Sequence, residues 1–116
     1  MKIAVTSQNF RTITGHAGKT RRFLVFAAEH GSAPVEVGRF DLPPEMSMHE
    51  FAGGPHPLDA VDVLLTASAG DGFVRKLGQR GVRVVITGEA DPKTAVADLL
   101  AGNVKPPAPH EHDCHH

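Results

Sequence analysis

The sequence contains no tryptophan, no tyrosine and a single cysteine among its 116 residues. One cysteine cannot form an internal disulfide, so the fold has to depend on its hydrophobic core. Hydrophobic residues make up 41% of the chain and charged residues 22%, an ordinary balance for one globular domain. Because a chain without disulfides is typical of a reducing compartment, we expect a cytoplasmic protein.

The chain also lacks a long apolar run and an excess of either charge. No segment approaches the roughly 18 apolar residues that a membrane-spanning helix needs. The 12 Lys and Arg residues and the 13 Asp and Glu residues give a net charge of −1. No overall electrostatic field therefore attracts nucleic acid or an anionic membrane, and we expect neither as a partner.

Motifs for nucleophilic catalysis are missing as well. The sequence has no serine elbow, and its one cysteine is not paired with a histidine in a predicted helix or strand. We therefore predict that the protein is not an enzyme.

A βαβ pattern is the clearest signal that the sequence does contain. Two short apolar runs, at residues 61–66 and 82–87, are rich in Val, Leu and Ile and predict buried strands. The apolar spacing between them predicts an amphipathic helix of about three turns. Asp71 is the expected N-cap of this helix, and Gly81 is expected to end it in a left-handed conformation.

The first half of the chain predicts three further strands, at residues 2–7, 23–29 and 35–42. The last two form a hairpin, and a slip in the alternation of the third strand predicts a β-bulge at Gly38 or Arg39. The segment that follows, residues 43–57, is too rich in proline and glycine for more than one or two helical turns.

The end of the chain predicts one more helix and then a tail. Asp91 is its expected N-cap, with Pro92 in the first turn and Gly102 at the end. Its buried stripe is expected to consist of Val96, Leu99 and Leu100. We predict an α/β domain over residues 1–104, followed by a flexible tail rich in proline and histidine over residues 105–116.

Several short segments together resemble a known family. They are Met-Lys-Ile-Ala-Val at 1–5, Gly-His-Ala-Gly-Lys-Thr-Arg-Arg-Phe at 15–23, a Gly-x-Gly turn before the first helix, Gly-Val-Arg-Val-Val at 81–85, and Leu-Leu-Ala-Gly at 99–102. In this order and spacing they resemble the dinitrogenase iron-molybdenum cofactor biosynthesis family, of the NifX type and of the C-terminal domain of NifB. The resemblance covers nearly all of residues 1–104.

The resemblance implies a ribonuclease H-like α/β fold, in which helices flank a mixed five-stranded sheet, without nuclease chemistry. It also implies a role in binding or carrying an iron-molybdenum cofactor or its iron–sulfur precursor, with cluster-assembly proteins as partners. The predicted core strands contain one carboxylate, Asp62, and one carboxylate is not a two-metal nuclease site. We expect a monomer or a weak dimer.

His16 is the first candidate ligand, because the small residues beside it expose an imidazole that suits iron or zinc. The family usually reads His-Phe-Gly where this chain has His-Ala-Gly, so His16 matches a position expected near the cofactor. Lys19, Arg21 and Arg22 can hold an anionic cluster by charge-assisted hydrogen bonds. A surface histidine and a charged strand edge are the ordinary alternatives.

A second group of candidates, Met46, Met48, His49 and His56, lies in the loop before the fourth strand. Thioether and imidazole ligands together suit soft metals, although methionines also fill gaps under loops. His49 is the better candidate because the family tends to carry a histidine just before this strand. The Gly70-Asp71-Gly72 turn is interpreted as a tight turn, since it lacks the third glycine of a dinucleotide site.

The C-terminal tail carries the densest set of metal donors. They are His110, His112, Cys114, His115 and His116. Such a segment can bind a divalent metal without a prebuilt cage, or can be a weak surface chelator with no physiological cargo. Three hypotheses therefore stand: a metallocluster carrier, a metal-ion buffer or sensor that uses the tail alone, and an interaction module that has lost its cargo.

Overall fold

The computed structural model describes residues 1–29 and 31–107, which form a mixed five-stranded sheet with a helix on each face. The strands and helices are β1 Lys2–Thr6, β2 Arg22–Ala27, β3 Val35–Asp41, β4 Val63–Thr66, α1 Asp71–Gln79, β5 Arg83–Ile86 and α2 Pro92–Ala101. Short 3-10 turns occupy Ala17–Lys19, Pro44–Met46 and Pro57–Ala60.

The spatial order of the strands is β3-β2-β1-β4-β5. β1, β4 and β5 run parallel to one another, whereas β2 is antiparallel to both β1 and β3. This topology confirms the predicted α/β class, with the ribonuclease H-like mixed sheet flanked by helices. Neither helix of the described chain has the length and apolar character that a membrane crossing requires.

The central strand β1 is buried on both faces, because each face of the sheet is covered by one helix. Ile3 and Val5 pack in the apolar layer beneath α2, and Ala4 packs in the layer beneath α1. Phe73 and Leu77 are the buried residues of α1. The molecule is therefore a three-layer sandwich.

The predicted helix ends are confirmed at three of four positions. Gly81 and Gly102 adopt left-handed backbone conformations, with φ of 80° and 76°. The carboxylate of Asp91 accepts a hydrogen bond from the Thr94 N–H at 2.9 Å and caps α2. The prediction for Asp71 was wrong: Gly70 is the N-cap of α1 in an extended conformation, and Asp71 is the first helical residue.

Strand β4 begins two residues later than the sequence predicted. Val61 closes the turn Pro57–Ala60, and Asp62 is exposed just before the strand. The carboxylate of Asp62 accepts a hydrogen bond from the Lys2 backbone N–H at 2.8 Å. The prediction that Asp62 lies within a core strand was therefore wrong, and its carboxylate helps to align the start of β1.

The predicted β-bulge is present, displaced by one residue. Val25 pairs with Gly38 and Phe26 pairs with Glu36, so Val37 is the extra residue of β3. The bulge lies on the edge strand, where such irregularities are common.

After α2 the chain is fastened to the segment that follows β5. The Gly88 N–H donates to the Lys105 carbonyl at 3.0 Å. The Lys105 ammonium contacts the carboxylates of Asp98 at 2.8 Å and Glu89 at 2.5 Å. These contacts raise the pKa of Lys105, and the hydrogen bond from Lys105 lowers the pKa of Glu89. The tail donors His110, His112, Cys114, His115 and His116 lie outside the described residues.

Candidate functional site

One open cleft, with a volume of about 440 Å³, brings together three of the predicted cofactor-binding residues. These are His16 and Lys19, from the loop after β1, and His49, from the loop before β4. The remaining lining residues are Ala17, Gly18, Ser68, Ala69, Gly70 and Phe73. The cleft therefore lies at the carboxyl end of β4, where the chain turns into α1.

His16 is held at the cleft by its backbone. The backbone of His16 is left-handed, with φ 53° and ψ 53°. Histidine is enriched in this region of backbone conformation relative to most other residues. The His16 N–H donates to the Ser68 hydroxyl at 2.9 Å, and the Ala17 N–H donates to the Ser68 carbonyl at 3.2 Å. A Cβ at Gly15 would collide with that hydroxyl, so only glycine permits this approach.

Two buried threonines anchor the same loop from beneath. The Thr6 hydroxyl lies 2.6 Å from the Thr14 carbonyl, and the Thr66 hydroxyl lies 3.2 Å from it. The two hydroxyl oxygens are 2.9 Å apart, and Thr66 also reaches the Ser68 carbonyl at 3.1 Å. Threonines at the ends of β1 and β4 therefore tie the loop of His16 to the sheet.

His49 reaches the cleft from a different loop, and a backbone hydrogen bond joins the two loops. Its N–H donates to the Gly18 carbonyl at 2.7 Å. The imidazole itself is 60% exposed and lies 3.5 Å from the carboxylate of Glu50. The Lys76 ammonium donates to the Met48 carbonyl at 3.3 Å and fixes this loop against α1. The imidazole of His49 thus remains accessible although its backbone is fixed.

The electrostatic surroundings of the cleft favour an anion. Gly70 lines the cleft and is the N-cap of α1, and the N–H groups of a first helical turn have no acceptor within the helix. Lys19 lines the cleft, and Lys76 lines a hollow of about 150 Å³ that continues from it past His49 and Phe73. Asp71, in the first turn of α1, offsets part of this positive field.

Arg22 is placed elsewhere and does not line the cleft. Its guanidinium forms an ion pair with Asp41 at 3.3 Å and lies 5.5 Å from the ring centre of Phe10. It also donates to the carbonyl of Gln8 at 3.2 Å. The side chain therefore joins the edge of the sheet to the loop after β1.

Met48 and His56 have structural surroundings. Met48 is buried in the core beneath α1. The Leu58 N–H donates to Nδ1 of His56 at 3.0 Å, and Nε2 lies 2.7 Å from the Met46 carbonyl. Nδ1 accepts, so Nε2 carries the proton and the imidazole is neutral. Neither side chain is therefore available as a ligand in the cleft.

The capping role of His56 is one that the sequence reasoning missed. His56 and Asp59 form a capping box around the turn Pro57–Ala60, and the Asp59 carboxylate accepts from the His56 N–H at 3.0 Å. Arg80 binds that carboxylate at 2.7 Å and lowers the pKa of Asp59. The sequence pattern His-Pro-x-Asp could have predicted this capping box, because it places a proline first in the turn and an acidic residue two positions after the proline.

The cleft holds two imidazoles, and no group of three His, Cys, Asp or Glu side chains in residues 1–29 and 31–107 could hold a metal ion. Zinc and iron usually bind three or four protein ligands when the protein alone encloses them. The two imidazoles of the cleft are therefore fewer than the ligands that a protein-enclosed zinc or iron ion usually has.

Comparisons with known proteins agree with this reading of the fold. The family model for the dinitrogenase iron-molybdenum cofactor family matches residues 1–102. The crystal structure of PH0822 superposes with a TM-score of 0.70 at 17% identity, covering 90% of this chain and 95% of that one. The NMR structure of a Thermotoga protein, TM1290, provisionally named a NifB protein of the DUF35 family, gives 0.56 at 16% identity, covering 95% and 97%. No curated protein matches the chain.

Proposed function

The chain belongs to the dinitrogenase iron-molybdenum cofactor family, and we propose that it is a non-catalytic cytoplasmic carrier for a metallocluster. The cargo is an iron-molybdenum cofactor, its iron–sulfur precursor or a related cluster. The carrier receives this cluster from one assembly protein and passes it to another.

The observation that carries the proposal is the meeting of His16 and His49 at one cleft. The two side chains come from loops far apart in sequence, and the hydrogen bond from His49 to Gly18 fixes one loop against the other. Neutral imidazole is a good ligand for iron in a cluster that already carries sulfide. Two such ligands hold a cluster firmly while leaving most of its surface for an acceptor protein.

Charge supports the same assignment. Clusters of iron and sulfide with an organic acid carry negative charge, and Lys19, Lys76 and the amino end of α1 face the cleft or its continuation. The cleft is open and lined by exposed imidazoles rather than by a closed ligand cage. An open site of this kind suits transfer between proteins better than permanent storage.

Anaerobic titration of the full chain with isolated iron-molybdenum cofactor tests the proposal, with visible absorbance as the readout. His16→Asn keeps a residue that tolerates the left-handed backbone but removes the imidazole. We expect this variant and His49→Ala each to weaken binding about tenfold, the worth of one metal ligand. Lys93→Ala, in the first turn of α2, is the matched control and should bind like the wild type. Equal affinity in all four proteins would refute a cluster site in the cleft.

A metal-ion buffer or sensor is the second candidate, and the density of donors after residue 109 favours it. In that case the tail is the whole site. A chain ending at Pro107 would then lose all metal binding, whereas the carrier function predicts that such a chain still gains cluster absorbance.

A further inference from the structure

We propose that a second hollow, next to the cleft, is a binding site for a small oxyanion such as a carboxylate or a sulfate-type anion. The hollow has a volume of about 440 Å³ and shares His16 and Lys19 with the cleft, and its other lining residues are Gln8, Thr14, Gly15 and Thr20. We call it the Gln8 hollow. The inference concerns the chain without its cargo, so it goes beyond the proposed carrier function.

The first argument is the fixed side-chain amide of Gln8. Its Oε1 accepts hydrogen bonds from the Arg21 N–H at 2.9 Å and from the Arg22 N–H at 3.0 Å. Because only the oxygen of an amide accepts such bonds, they determine which side of the group carries the nitrogen. No acceptor within residues 1–29 and 31–107 pairs with that nitrogen. The amide therefore offers two N–H donors to a ligand of the hollow that Gln8 lines.

Two further donors line the Gln8 hollow. The Thr14 hydroxyl oxygen accepts from the Gln8 N–H at 3.2 Å, which leaves the hydroxyl proton available for a ligand. The Lys19 ammonium forms no ion pair with any part of the chain that the structure describes. The Thr20 hydroxyl, by contrast, already donates to backbone carbonyls at 3.2 and 3.3 Å. An amide, a hydroxyl and an ammonium together match the several oxygens of one anion.

The charge of the Gln8 hollow favours an anion over a metal ion. Its lining contains the Lys19 ammonium and no carboxylate. A metal ion would meet a single imidazole there, that of His16, which is fewer than the ligands a protein-bound zinc or iron ion needs. Hydrogen bonds from an ammonium to an ionised oxygen are stronger than those between neutral groups. The hollow therefore suits a negatively charged ligand with more than one oxygen.

The walls of the Gln8 hollow are held in place by the sheet. The Thr14 carbonyl lies within hydrogen-bonding distance of the hydroxyls of Thr6 and Thr66, and the Thr14 N–H donates to the Thr6 carbonyl at 2.9 Å. The Gln8 carbonyl accepts from the Arg22 guanidinium at 3.2 Å. Groups that are already fixed lose little conformational freedom when a ligand binds. An oxyanion therefore binds without rearrangement of the loop after β1.

The same chemistry has two sources. One is a free oxyanion from solution. The other is a carboxylate group on a cargo that lies in the cleft and extends past His16 and Lys19, the two residues that both hollows share. A free anion and an anionic cargo then interact with the same ammonium. Competition between them distinguishes the two sources.

NMR titration of the full chain with sulfate and with citrate tests the inference, with sodium chloride at matched ionic strength as the control. We expect saturable shifts of the Gln8 side-chain amide signal and of the backbone signals of Thr14 and Lys19. Added salt should weaken the binding, because it screens the charge of the exposed ammonium. The absence of saturable shifts at these residues, or equal shifts with chloride, would overturn the inference.

Variants of the full chain then test the donors. Gln8→Glu keeps an oxygen that accepts from the two backbone N–H groups but replaces the amide nitrogen with a second carboxylate oxygen, and we expect it to weaken sulfate and citrate binding about tenfold or more. Gln79→Glu, at the exposed end of α1, changes the net charge equally away from the hollow and should bind like the wild type. Lys19→Gln should weaken binding about threefold at low salt.

Circular dichroism checks that each variant is folded. Equal anion affinity in the Gln8→Glu and Gln79→Glu proteins would overturn the inference, because net charge rather than the hollow would then attract the anion.

Cofactor titrations of the same proteins assign the source of the anion. If citrate competes with isolated iron-molybdenum cofactor and Gln8→Glu weakens cofactor binding, the anion is part of the cargo. If Gln8→Glu abolishes sulfate binding and leaves cofactor binding unchanged, the anion is a free ligand. The oxyanion site stands in both cases.

The two proposals fail separately. If neither sulfate nor citrate binds while cofactor binding depends on His16 and His49, the oxyanion site is refuted and the carrier function stands. If both anions bind at the Gln8 hollow while isolated cofactor does not bind, the oxyanion site stands and the carrier function is refuted.

Discussion

Two of the hollows beside the sheet form a contrast, because the larger one lacks the metal-binding side chains that the smaller one has. The larger one, about 620 Å³, lies between α2 and the turn before β3, and it is lined by small and apolar residues with Asp91 and Lys93. The smaller one, about 440 Å³, lies at the amino end of α1 and contains His16, His49 and Lys19. Volume alone would favour the α2 side of the sheet, whereas the proposed function rests on the residues that line the smaller hollow.

The two hollows differ in the chemical groups that they offer to a ligand. At the α1 side, three segments meet at the carboxyl end of β4, and each contributes something that a cluster needs: a nitrogen ligand, a positive charge or free backbone N–H groups. At the α2 side the charges of Asp91 and Lys93 are of opposite sign, and the Asp91 carboxylate is already engaged by Thr94. The groups at the α1 side are therefore available to a ligand, whereas the Asp91 carboxylate at the α2 side already accepts hydrogen bonds.

We expect the largest effect from truncating a side chain that belongs both to the hydrophobic core and to the lining of the cleft. Phe73 is buried and lines the cleft, whereas Leu100 is half-buried and lines the hollow beside α2. We expect Phe73→Ala to lower the free energy of unfolding by about 3 kcal/mol and to weaken cluster binding. Leu100→Ala should cost about 1 kcal/mol and leave binding unchanged. Denaturant unfolding and cofactor titration measure both, and equal binding in the two variants would contradict the comparison.

The next effect tests how the loop of His16 is positioned. Ser68→Ala removes the hydroxyl that accepts from the His16 N–H, and we expect a loss of about 1 kcal/mol in stability with binding several-fold weaker. Thr94→Val removes a comparable hydroxyl in the first turn of α2, where it contacts Asp91 at 2.7 Å. It should lower stability without changing the affinity for the cofactor. A Ser68→Ala protein that binds as the wild type does would show that the loop needs no such anchor.

We expect a positive charge to affect cofactor binding at the cleft but not at the hollow beside α2. Lys19→Gln is expected to weaken cofactor binding about threefold at low salt, with the difference shrinking as salt screens the charge. Lys93→Gln is the matched change at the other hollow and should have no effect. Titrations at two ionic strengths check this, and an equal effect of both substitutions would mean that net charge rather than the cleft attracts the cargo.

The smallest effect concerns the fastening of the chain end by Glu89 and Lys105. Lys105 lowers the pKa of Glu89 below its ordinary value of 4.5, so this carboxylate stabilises the fold above pH 4.5. That contribution is lost as the pH falls through the lowered pKa of the folded protein. We expect Glu89→Gln to melt slightly below the wild type at neutral pH and at the same temperature in strong acid. A difference that persists in acid would assign the effect to something other than this charge.

Much of the fold was predictable because its signals are local. Short stretches of sequence are enough to predict the apolar runs of β4 and β5. The same holds for the cap at Asp91 and for the left-handed conformations of Gly81 and Gly102. The wrong predictions concern positions whose conformation depends on residues that are distant in sequence or on the direction of the preceding chain. Asp62 left the predicted strand because it contacts the Lys2 N–H, and Gly70 rather than Asp71 caps α1 because the chain arrives there in an extended conformation.

From the sequence we expected a cleft between the loop of His16 and the loop before Val61, but not the contacts that join these two loops. His16 and His49 were singled out by resemblance, whereas their meeting depends on the bond from His49 to Gly18 and on Ser68, and no local pattern reveals these contacts. Arg22 was grouped with Lys19 because they are near in sequence, yet β2 begins at Arg22 and directs it toward Asp41 at the sheet edge.

The most direct test of the cluster-binding cleft is the iron and sulfide content of protein purified without oxygen from cells that make the cofactor. The wild-type full chain should contain both iron and sulfide. The His16→Asn, His49→Ala protein, with its tail intact, should contain little of either. Equal iron and sulfide in the two proteins would contradict the account and transfer the site to the tail.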